Sequence, residues 1–496
     1  MSAFTPIPLG RPIPDSPHAV SCSLPTMRAV RGYEEKDPDV TRQMTSGYPR
    51  FVVHPFAQQL AAHFAAAGRI LWLTSSERMA GELSRHLGSA AGATLFARDG
   101  LHGLSHPESG DVAARAKLYL QNVGGFLSSR EAEDHIVRLG LRPAAHAEAR
   151  FAGDAAAEVR RRLRRVLPGA GDADLLLANS GMNAVHAAFR AVSEVQAARG
   201  RTLWVQLGWA YLDTIAILEK FPPSADDYIA ISDVFDQAAL ERLFAEQGSR
   251  IAGVLTEIPN NPLMQTPDVP ALAALCRRHG VRLVLDGSIA SVFSVDVLAF
   301  ADLLVSSLTK YTASEGDVLA GLVAVNPAGP DAAALRRLAA DRLEPVYPRD
   351  LQRLAEEIGA TEQVLAQIEK TAARVAALLA SHPKVKEVYW ALHPASRANY
   401  RRIARAPDAI GGVLSFTVRG PLEAFYDRLN LPKGPSFGMK TTLICPYMYL
   451  AHYDLLKSPA SRARLSAAGL DPDLLRLCVG IEPAEDIIAS LADALG

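Results

Sequence analysis

The chain has 496 residues, of which 49% are hydrophobic and 21% are charged, and its formal net charge is −1. That length is enough to bury one large hydrophobic core and a second, smaller one. The near-neutral charge offers no basic surface to nucleic acid or to an anionic membrane. No apolar run reaches the ~18 residues that a membrane-spanning helix needs. We therefore expect a protein that binds neither nucleic acid nor membrane.

The cysteines and the first residues bear on the compartment. Residues 1–25 are rich in proline and lack the apolar core of a secretory signal. Four cysteines lie far apart, without the spacing of a metal site: Cys22, Cys276, Cys445 and Cys478. Both features predict a cytoplasmic protein with buried or half-buried thiols and no metal.

In chain order, the sequence first predicts an extended arm over residues 1–55, because prolines are frequent and apolar positions are not periodic. Residues 56–165 alternate helical stretches with one short apolar run, RILWLT, and form an N-terminal region. Residues 166–345 alternate short β-rich runs with amphipathic helices, which predicts a mostly parallel sheet with helices on both faces. Residues 346–496 mix helices and strands and predict a smaller C-terminal α+β domain. The fold class is therefore α/β.

Ligands of parallel sheets collect at the carboxyl ends of the strands, so the polar residues after each β run are the first candidates. After DLLLA, the residues Asn179-Ser180-Gly181-Met182-Asn183 open a helix, whose N-terminus either binds an anion or is simply capped. After GVLTEIP, Asn261 precedes a proline and either starts a turn or faces a ligand.

Two later strand ends carry groups that are costly to bury. Asp286 ends the run VRLVLD, where a carboxylate needs either a cation, such as a protonated pyridine nitrogen, or a helix N-terminus. Lys310 follows DLLVSS, with hydroxyls at Ser307 and Thr309. A lysine here is either a surface residue or an imine-forming amine whose pKa is lowered by burial.

A final candidate lies in the C-terminal domain. Arg476, in the run LLRLCVGIE, either forms a salt bridge or holds a carboxylate by two hydrogen bonds. Taken in order, these groups are what is needed to hold pyridoxal phosphate and an amino acid.

The chain resembles the Cys/Met metabolism enzymes that depend on pyridoxal phosphate, in particular the long cystathionine γ-synthases typical of fungi. The matching stretches are SGMNAVHAAF, YLDT, TEIPNNPL, LVLDGSIAS, SLTKYTASEGDVLAG, SFGMKTTL and LRLCVGIEPAEDIIASLADAL, with HAVSCSLPTMRAVRGYEE, MTSGYPRFVVHP and GGFLSSREAE further upstream. The resemblance implies the fold-type I architecture of aspartate aminotransferase, with a large insertion within residues 56–165.

The resemblance also implies roles for individual residues. Lys310 would carry the cofactor and move protons, and Asp286 would pair with the pyridinium nitrogen. Tyr211 would stack on the ring, with Trp209 as its competitor, and Asn261 would bond the phenolic oxygen. Four residues would bind the phosphate: Gly181, Met182, Ser307 and Thr309.

Other implied roles concern the substrate and a second subunit. Ser436 and Arg476 would face the substrate, with Arg476 on its α-carboxylate. Tyr48 and Arg50 resemble a Tyr-x-Arg motif that reaches the phosphate in a neighbouring subunit, which implies a dimer or a dimer of dimers with shared active sites. Departures such as YLDT for the usual YGGT affect the expected substrate more than the cofactor.

We therefore expect a γ-replacement enzyme that joins an activated homoserine ester to cysteine, giving cystathionine. The alternatives are a β- or γ-lyase, a sulfhydrylase, or replacement by another nucleophile in a specialised pathway. A silent binding homologue is disfavoured because Lys310, Asp286 and Arg476 are present. A dinucleotide enzyme is disfavoured because no G-x-G-x-x-G follows an early strand.

Overall fold

A computed structural model describes residues 4–45 and 53–496. The first of these segments is folded onto the rest of the chain, where the sequence predicts an extended arm. Thr26 caps the helix that comes next, and Met27, Val30 and Tyr33 recur on one helix face and are buried in the main core. The elements of this segment are β1 (Pro12–Ile13), β2 (Ser21–Cys22), α1 (Met27–Glu34) and α2 (Pro38–Thr41).

Residues 55–138 form a compact unit of sheet and helices, which we call the N-terminal unit. In the described part of the chain its sheet has three antiparallel strands in the order β3-β5-β4. The run RILWLT forms β3. Strand β5 was not predicted, because its Gly and two His residues interrupt the apolar pattern. The elements are α3 (Pro55–Phe64), β3 (Arg69–Thr74), α4 (Glu77–Leu87), β4 (Thr94–Arg98), β5 (Leu101–Pro107), α5 (Gly110–Val123) and α6 (Ser129–Arg138).

Helices cover both faces of that sheet. Leu104 of β5 packs with Leu83 of α4 and Leu120 of α5 on one face. On the other face, Leu71 of β3 packs with Leu60 of α3 and other buried apolar residues.

The central sheet confirms the predicted α/β class. Among the described residues, seven strands lie in the order β6-β12-β11-β10-β9-β7-β8, and all but β12 run in one direction. β12 is antiparallel because it returns beside β11 through a loop, without a crossover helix. The strands are β6 (Leu175–Ala178), β7 (Leu203–Leu207), β8 (Tyr228–Ile231), β9 (Ile251–Glu257), β10 (Arg282–Asp286), β11 (Leu303–Ser307) and β12 (Gly321–Val325).

Burial on both faces explains why these strands are almost continuously apolar. In β10, Leu283 and Leu285 face one core cluster and Val284 faces the other. The helices that precede, connect or follow these strands are α7 (Ala155–Val166), α8 (Gly181–Ala197), α9 (Leu212–Lys220), α10 (Gln237–Gln247), α11 (Val269–His279) and α12 (Ala332–Ala340).

The remaining residues carry a smaller antiparallel sheet. Four strands are described in it, in the order β13-β14-β16-β15: β13 (Val385–Tyr389), β14 (Val413–Val418), β15 (Leu443–Pro446) and β16 (Leu475–Cys478). The helices are α13 (Pro348–Glu357), α14 (Thr361–Ser381), α15 (Arg397–Arg401), α16 (Leu422–Arg428), α17 (Tyr447–Ala451), α18 (Pro459–Ala467) and α19 (Ala484–Leu495). Of the helices that the structure describes, none is long and apolar enough to cross a lipid bilayer.

Candidate active site

Most of the predicted site residues line one small cavity at the carboxyl ends of the central strands. Its volume is about 100 Å³, and the predicted residues on its wall are Gly181, Met182, Tyr211, Asn261, Asp286, Ser307, Lys310, Ser436 and Arg476. Thr309 lines an adjoining cavity of about 640 Å³, which shares Gly181, Met182 and Tyr211 with the small one. Tyr48 and Arg50 lie outside the described residues.

Lys310 is a buried amine in this cavity, 5% exposed. Its Nζ donates a hydrogen bond to Ser436 Oγ at 2.5 Å and lies 5.0 Å from the centre of the Phe437 ring. Burial, and then the charge of Arg476, lowers the pKa of the amine from 10.5 to about 7. A lysine in this state is a nucleophile near neutral pH, which a surface lysine is not.

Two carboxyl groups end neighbouring strands and line the same small cavity as Lys310. Asp286 ends β10 beside Glu257 of β9. The Asp286 Oδ1 atom accepts hydrogen bonds from the Ser288 backbone N–H at 2.8 Å and from the Ser288 hydroxyl at 2.6 Å. Burial raises the pKa of Asp286 to about 6. A protonated ring nitrogen placed beside Asp286 would stabilise its charged form.

Glu257 is a site residue that was not predicted, although it is the Glu of the quoted TEIPNNPL stretch. Its Oε1 accepts a hydrogen bond from the Tyr211 backbone N–H at 2.7 Å, and its Oε2 accepts one from the Asn261 N–H at 3.2 Å. Burial first, and then the charge of Asp286, raises the pKa of Glu257 well above its usual value. Glu257 therefore fixes the backbone of two predicted cofactor contacts.

The start of α8 lies unusually close to the end of β11. A Cβ atom added to Gly181 would lie 2.7 Å from the Cβ of Ser307, so only glycine permits this approach. Ser180 caps the helix, and its hydroxyl accepts a hydrogen bond from the Asn183 N–H. Helix N–H groups beside a serine hydroxyl suit a phosphate. The hydroxyl of Thr309, which was also predicted to bind the phosphate, instead accepts a hydrogen bond from the Ala320 N–H at 3.1 Å.

Arg476 lies on β16 at the opposite wall. It donates hydrogen bonds to Asn261 Oδ1 at 3.3 Å and to the Ser436 carbonyl at 3.2 Å. Its guanidinium carbon lies 4.9 Å from the centre of the Tyr447 ring and 5.2 Å from that of Phe437. Within residues 4–45 and 53–496, no carboxylate forms an ion pair with it, so the salt-bridge alternative has no support.

Two aromatic side chains near the cavity differ in their surroundings. Tyr211 precedes α9 and lines both cavities. Trp209 donates from its indole N–H to His452 Nε2 at 3.0 Å and packs against a cluster of C-terminal residues. The geometry therefore favours Tyr211 over Trp209 as the stacking residue. The Asn261 amide, for its part, donates to the Tyr447 hydroxyl at 2.7 Å, a contact that was not predicted.

The sequence comparison decides the family. The model of the Cys/Met metabolism PLP-dependent enzymes matches residues 146–496. The chain belongs to this family. Its enzymes use pyridoxal phosphate, and the site suits that group: a buried amine, a buried carboxylate with a raised pKa and a glycine-lined helix start surround one cavity.

Relatives of the Cys/Met family match almost the whole chain. The L-2-amino-4-chloropent-4-enoate dechlorinase/desaturase of Streptantibioticus cattleyicolor is 42% identical, over 100% of this chain and 99% of the relative. The cystathionine γ-synthase of Neurospora crassa is 28% identical, over 99% of this chain and 98% of the relative.

A solved structure supports the fold. Cystathionine γ-synthase of Xanthomonas oryzae pv. oryzae, in complex with aminoacrylate and cysteine, is 25% identical to this chain. It has a TM-score of 0.58 and covers 69% of this chain and 86% of its own. The fold is thus fold-type I, and the protein is an enzyme of the γ-synthase/lyase type.

Proposed function

We propose that this enzyme removes hydrogen chloride from a γ-chlorinated amino acid of the type of L-2-amino-4-chloropent-4-enoate. The observation that carries the proposal is the 42% identity, over the full length of both chains, to a dechlorinase/desaturase of that substrate. The relative that supports the predicted synthesis of cystathionine is less similar, at 28% identity.

The charges of the small cavity support a reaction of one amino acid. Of its described lining residues, two are cationic: Lys310, which faces the cofactor position, and Arg476. Arg476 suits the α-carboxylate of the substrate, because it is buried beside two aromatic rings and forms no ion pair with a carboxylate among the described residues. Cystathionine synthesis brings in a second amino acid, whose carboxylate meets no further cation among the described residues that line this small cavity.

The rest of the wall suits an uncharged side chain. The lining includes the apolar or aromatic residues Phe437, Tyr447 and Leu450. Chlorine on a carbon–carbon double bond is an apolar substituent, and it leaves as a stable anion that needs no acid to protonate it. Such a wall would hold an apolar side chain by contact area.

The reaction balances without a redox partner. Pyridoxal phosphate, when bound, stabilises negative charge on carbon next to the substrate nitrogen. Lys310, with a pKa near 7, accepts a proton from carbon, and the Ser436 hydroxyl 2.5 Å away orients its amine. The C4–Cl bond breaks, chloride keeps the electron pair, and a further carbon–carbon π bond forms as the proton is lost.

A second candidate is γ-replacement, in which cysteine displaces the acyloxy group of a homoserine ester to give cystathionine. The near full-length match to a fungal cystathionine γ-synthase supports it. Both candidates use Lys310, Asp286 and Arg476 in the same way up to the loss of the γ-substituent. They differ after that loss, because replacement also needs space for a thiol substrate and a cation for its carboxylate.

The two candidates are separated by a product assay. We expect the holoenzyme to release free chloride from L-2-amino-4-chloropent-4-enoate, together with a product lighter by one hydrogen chloride. Magnetic resonance then distinguishes an alkyne from an allene. Parallel reactions contain O-succinyl-, O-acetyl- or O-phospho-homoserine with cysteine. Cystathionine formation without chloride release would reject the first candidate in favour of the second.

A further inference from the structure

Residues 121–130 join α5 to α6 in the N-terminal unit, and we call them the junction segment. This segment lines the larger cavity beside the candidate active site and contacts three loops that carry predicted cofactor contacts. The strand-end pattern predicts none of these three contacts, because the junction segment belongs to neither of the two larger sheets.

The first contact holds the start of α9, directly after Tyr211. The side chains of Gln121 and Asn122 donate hydrogen bonds to Asp213 Oδ1 at 2.7 and 3.0 Å. Asp213 is buried, so these bonds stabilise a carboxylate that has little access to water. Asp213 lies in the first turn of α9, where its negative charge interacts favourably with the helix dipole.

The second contact holds the start of α8, which carries Gly181. Asn179 and Asn183 donate hydrogen bonds to the carbonyls of Gly124 and Val123 at 2.9 and 3.2 Å. Gly124 has a φ of 68°, and a Cβ atom on it would lie 2.2 Å from the Ser180 Oγ. The segment therefore touches the capping residue of the predicted phosphate site directly.

The third contact holds the loop after Lys310. Arg130 donates to the Asp317 carbonyl at 2.7 Å and pairs with the Asp317 carboxylate at 3.3 Å. Arg130 is fully buried and also pairs with Asp350 at 2.9 Å. Asp317 belongs to the same loop as Lys310, so the far end of the lysine loop is fixed from the N-terminal unit.

We propose that the junction segment is a positioning element, which sets the loops of Gly181, Tyr211 and Lys310 in one arrangement around pyridoxal phosphate. Each loop comes from a different strand end of the central sheet. Holding all three from one short segment limits their independent movement, and that retains the cofactor. The N-terminal unit then contributes to cofactor binding through these three loops.

The test compares two glycine substitutions, one in the N-terminal unit and one just after it. Gly124→Ala adds a methyl group against Ser180, whereas Gly140→Ala adds one that meets nothing within 4 Å. Both glycines have positive φ, 68° and 71°, so both variants carry backbone strain. We expect bound pyridoxal phosphate to leave the Gly124→Ala holoenzyme about tenfold faster, equivalent to ~1.4 kcal/mol. Its rate of loss from Gly140→Ala should not change.

Two readouts separate positioning from mere stability. Cofactor loss is followed by visible absorbance after dilution, and ring orientation by the visible circular dichroism of the bound cofactor. Equal cofactor loss and identical dichroism in both variants would overturn the proposal, even if both unfold at lower temperature. Should Gly124→Ala not fold, Asn122→Ala and Gln121→Ala are measured in the same way. No chlorinated substrate is involved, so failure of the proposed reaction leaves this test intact.

Discussion

The cavity around Lys310 and a cluster of ion pairs around Arg130 both bury several charges, but the pKa of Asp286 in the first and that of Glu133 in the second shift in opposite directions. The cluster, which we call the Arg130 cluster, consists of Arg130 and Arg349 with Glu133, Glu148, Asp317 and Asp350. In the cavity, burial lowers the pKa of Lys310 to about 7 and raises that of Asp286 to about 6, so both move towards their neutral forms. In the Arg130 cluster, burial alone would raise the pKa of Glu133, but hydrogen bonds from His18 and Arg349 outweigh it and lower that pKa to about 2.

The two regions differ in the charge of the groups that their cations contact. Arg130 is surrounded by carboxylates of this chain, with Glu148 at 2.7 Å and Asp350 at 2.9 Å. Among the described residues, Lys310 donates a hydrogen bond to the Ser436 hydroxyl, and Arg476 donates to an amide oxygen and to a carbonyl. Buried charges that are paired within the protein serve the scaffold, whereas those with neutral partners suit a charged ligand.

The largest effect should come from Lys310→Ala. Loss of the amine removes both the attachment of the cofactor and the group that moves protons, so turnover should fall by at least ~10³-fold, in the range of a lost general base. The absorbance of the bound cofactor should change as well. Turnover at the level of the unsubstituted enzyme would show that Lys310 is not in the chemistry.

The next largest effect concerns the paired cluster. Arg130→Gln leaves buried carboxylates without their cation, and the free energy of unfolding should fall by ~3–5 kcal/mol. Urea unfolding of the holoenzyme measures this. Arg161→Gln, which breaks an exposed pair with Glu158, is the matched control and should have little effect. A similar fall in the free energy of unfolding of both variants would contradict the contrast between buried and exposed ion pairs.

Asp286→Asn should weaken cofactor binding while keeping the size of the side chain. A hydrogen bond to a charged group contributes ~1.5–3 kcal/mol, which corresponds to roughly ten- to a hundredfold in affinity. Titration of the apoprotein with pyridoxal phosphate gives the affinity. Asp286→Glu, which retains the charge, should bind more tightly than Asp286→Asn. The reverse order would exclude a charge-based role.

The smallest effect is on pH dependence. A lowered lysine pKa means that the neutral, reactive amine forms above about 7, so capture of pyridoxal phosphate by the apoprotein should speed up as pH rises through that value. Arg476→Gln removes a cation that lowers this pKa, so the midpoint should move to higher pH. Arg374→Gln, in an exposed pair with Glu485, should leave the midpoint unchanged. If the pH midpoint of cofactor capture is unchanged in Arg476→Gln, the charge of Arg476 does not lower the pKa of Lys310.

Much of the site was predictable because its residues come directly after strands. The carboxyl ends of parallel strands meet at one edge of a sheet, so Asp286 and Ser307 were expected at the same edge once a mostly parallel sheet was inferred. The structure adds that their strands, β10 and β11, are neighbours. Gly181 and Lys310 lie in stretches that resemble motifs of the Cys/Met metabolism enzymes. These local patterns also indicated the cofactor.

The sequence by itself therefore determined the α/β class, the family and the residues at the strand ends, since each depends on short-range pattern. Only the tertiary structure decided the rest. Asn122 meets Asp213 across 91 positions of the chain, and Arg130 meets Asp350 across 220. Such contacts have no local signature, because they depend on how the N-terminal unit packs against the central sheet. The burial of Lys310 beside Arg476 and the ion pairs of Arg130 arise from that packing.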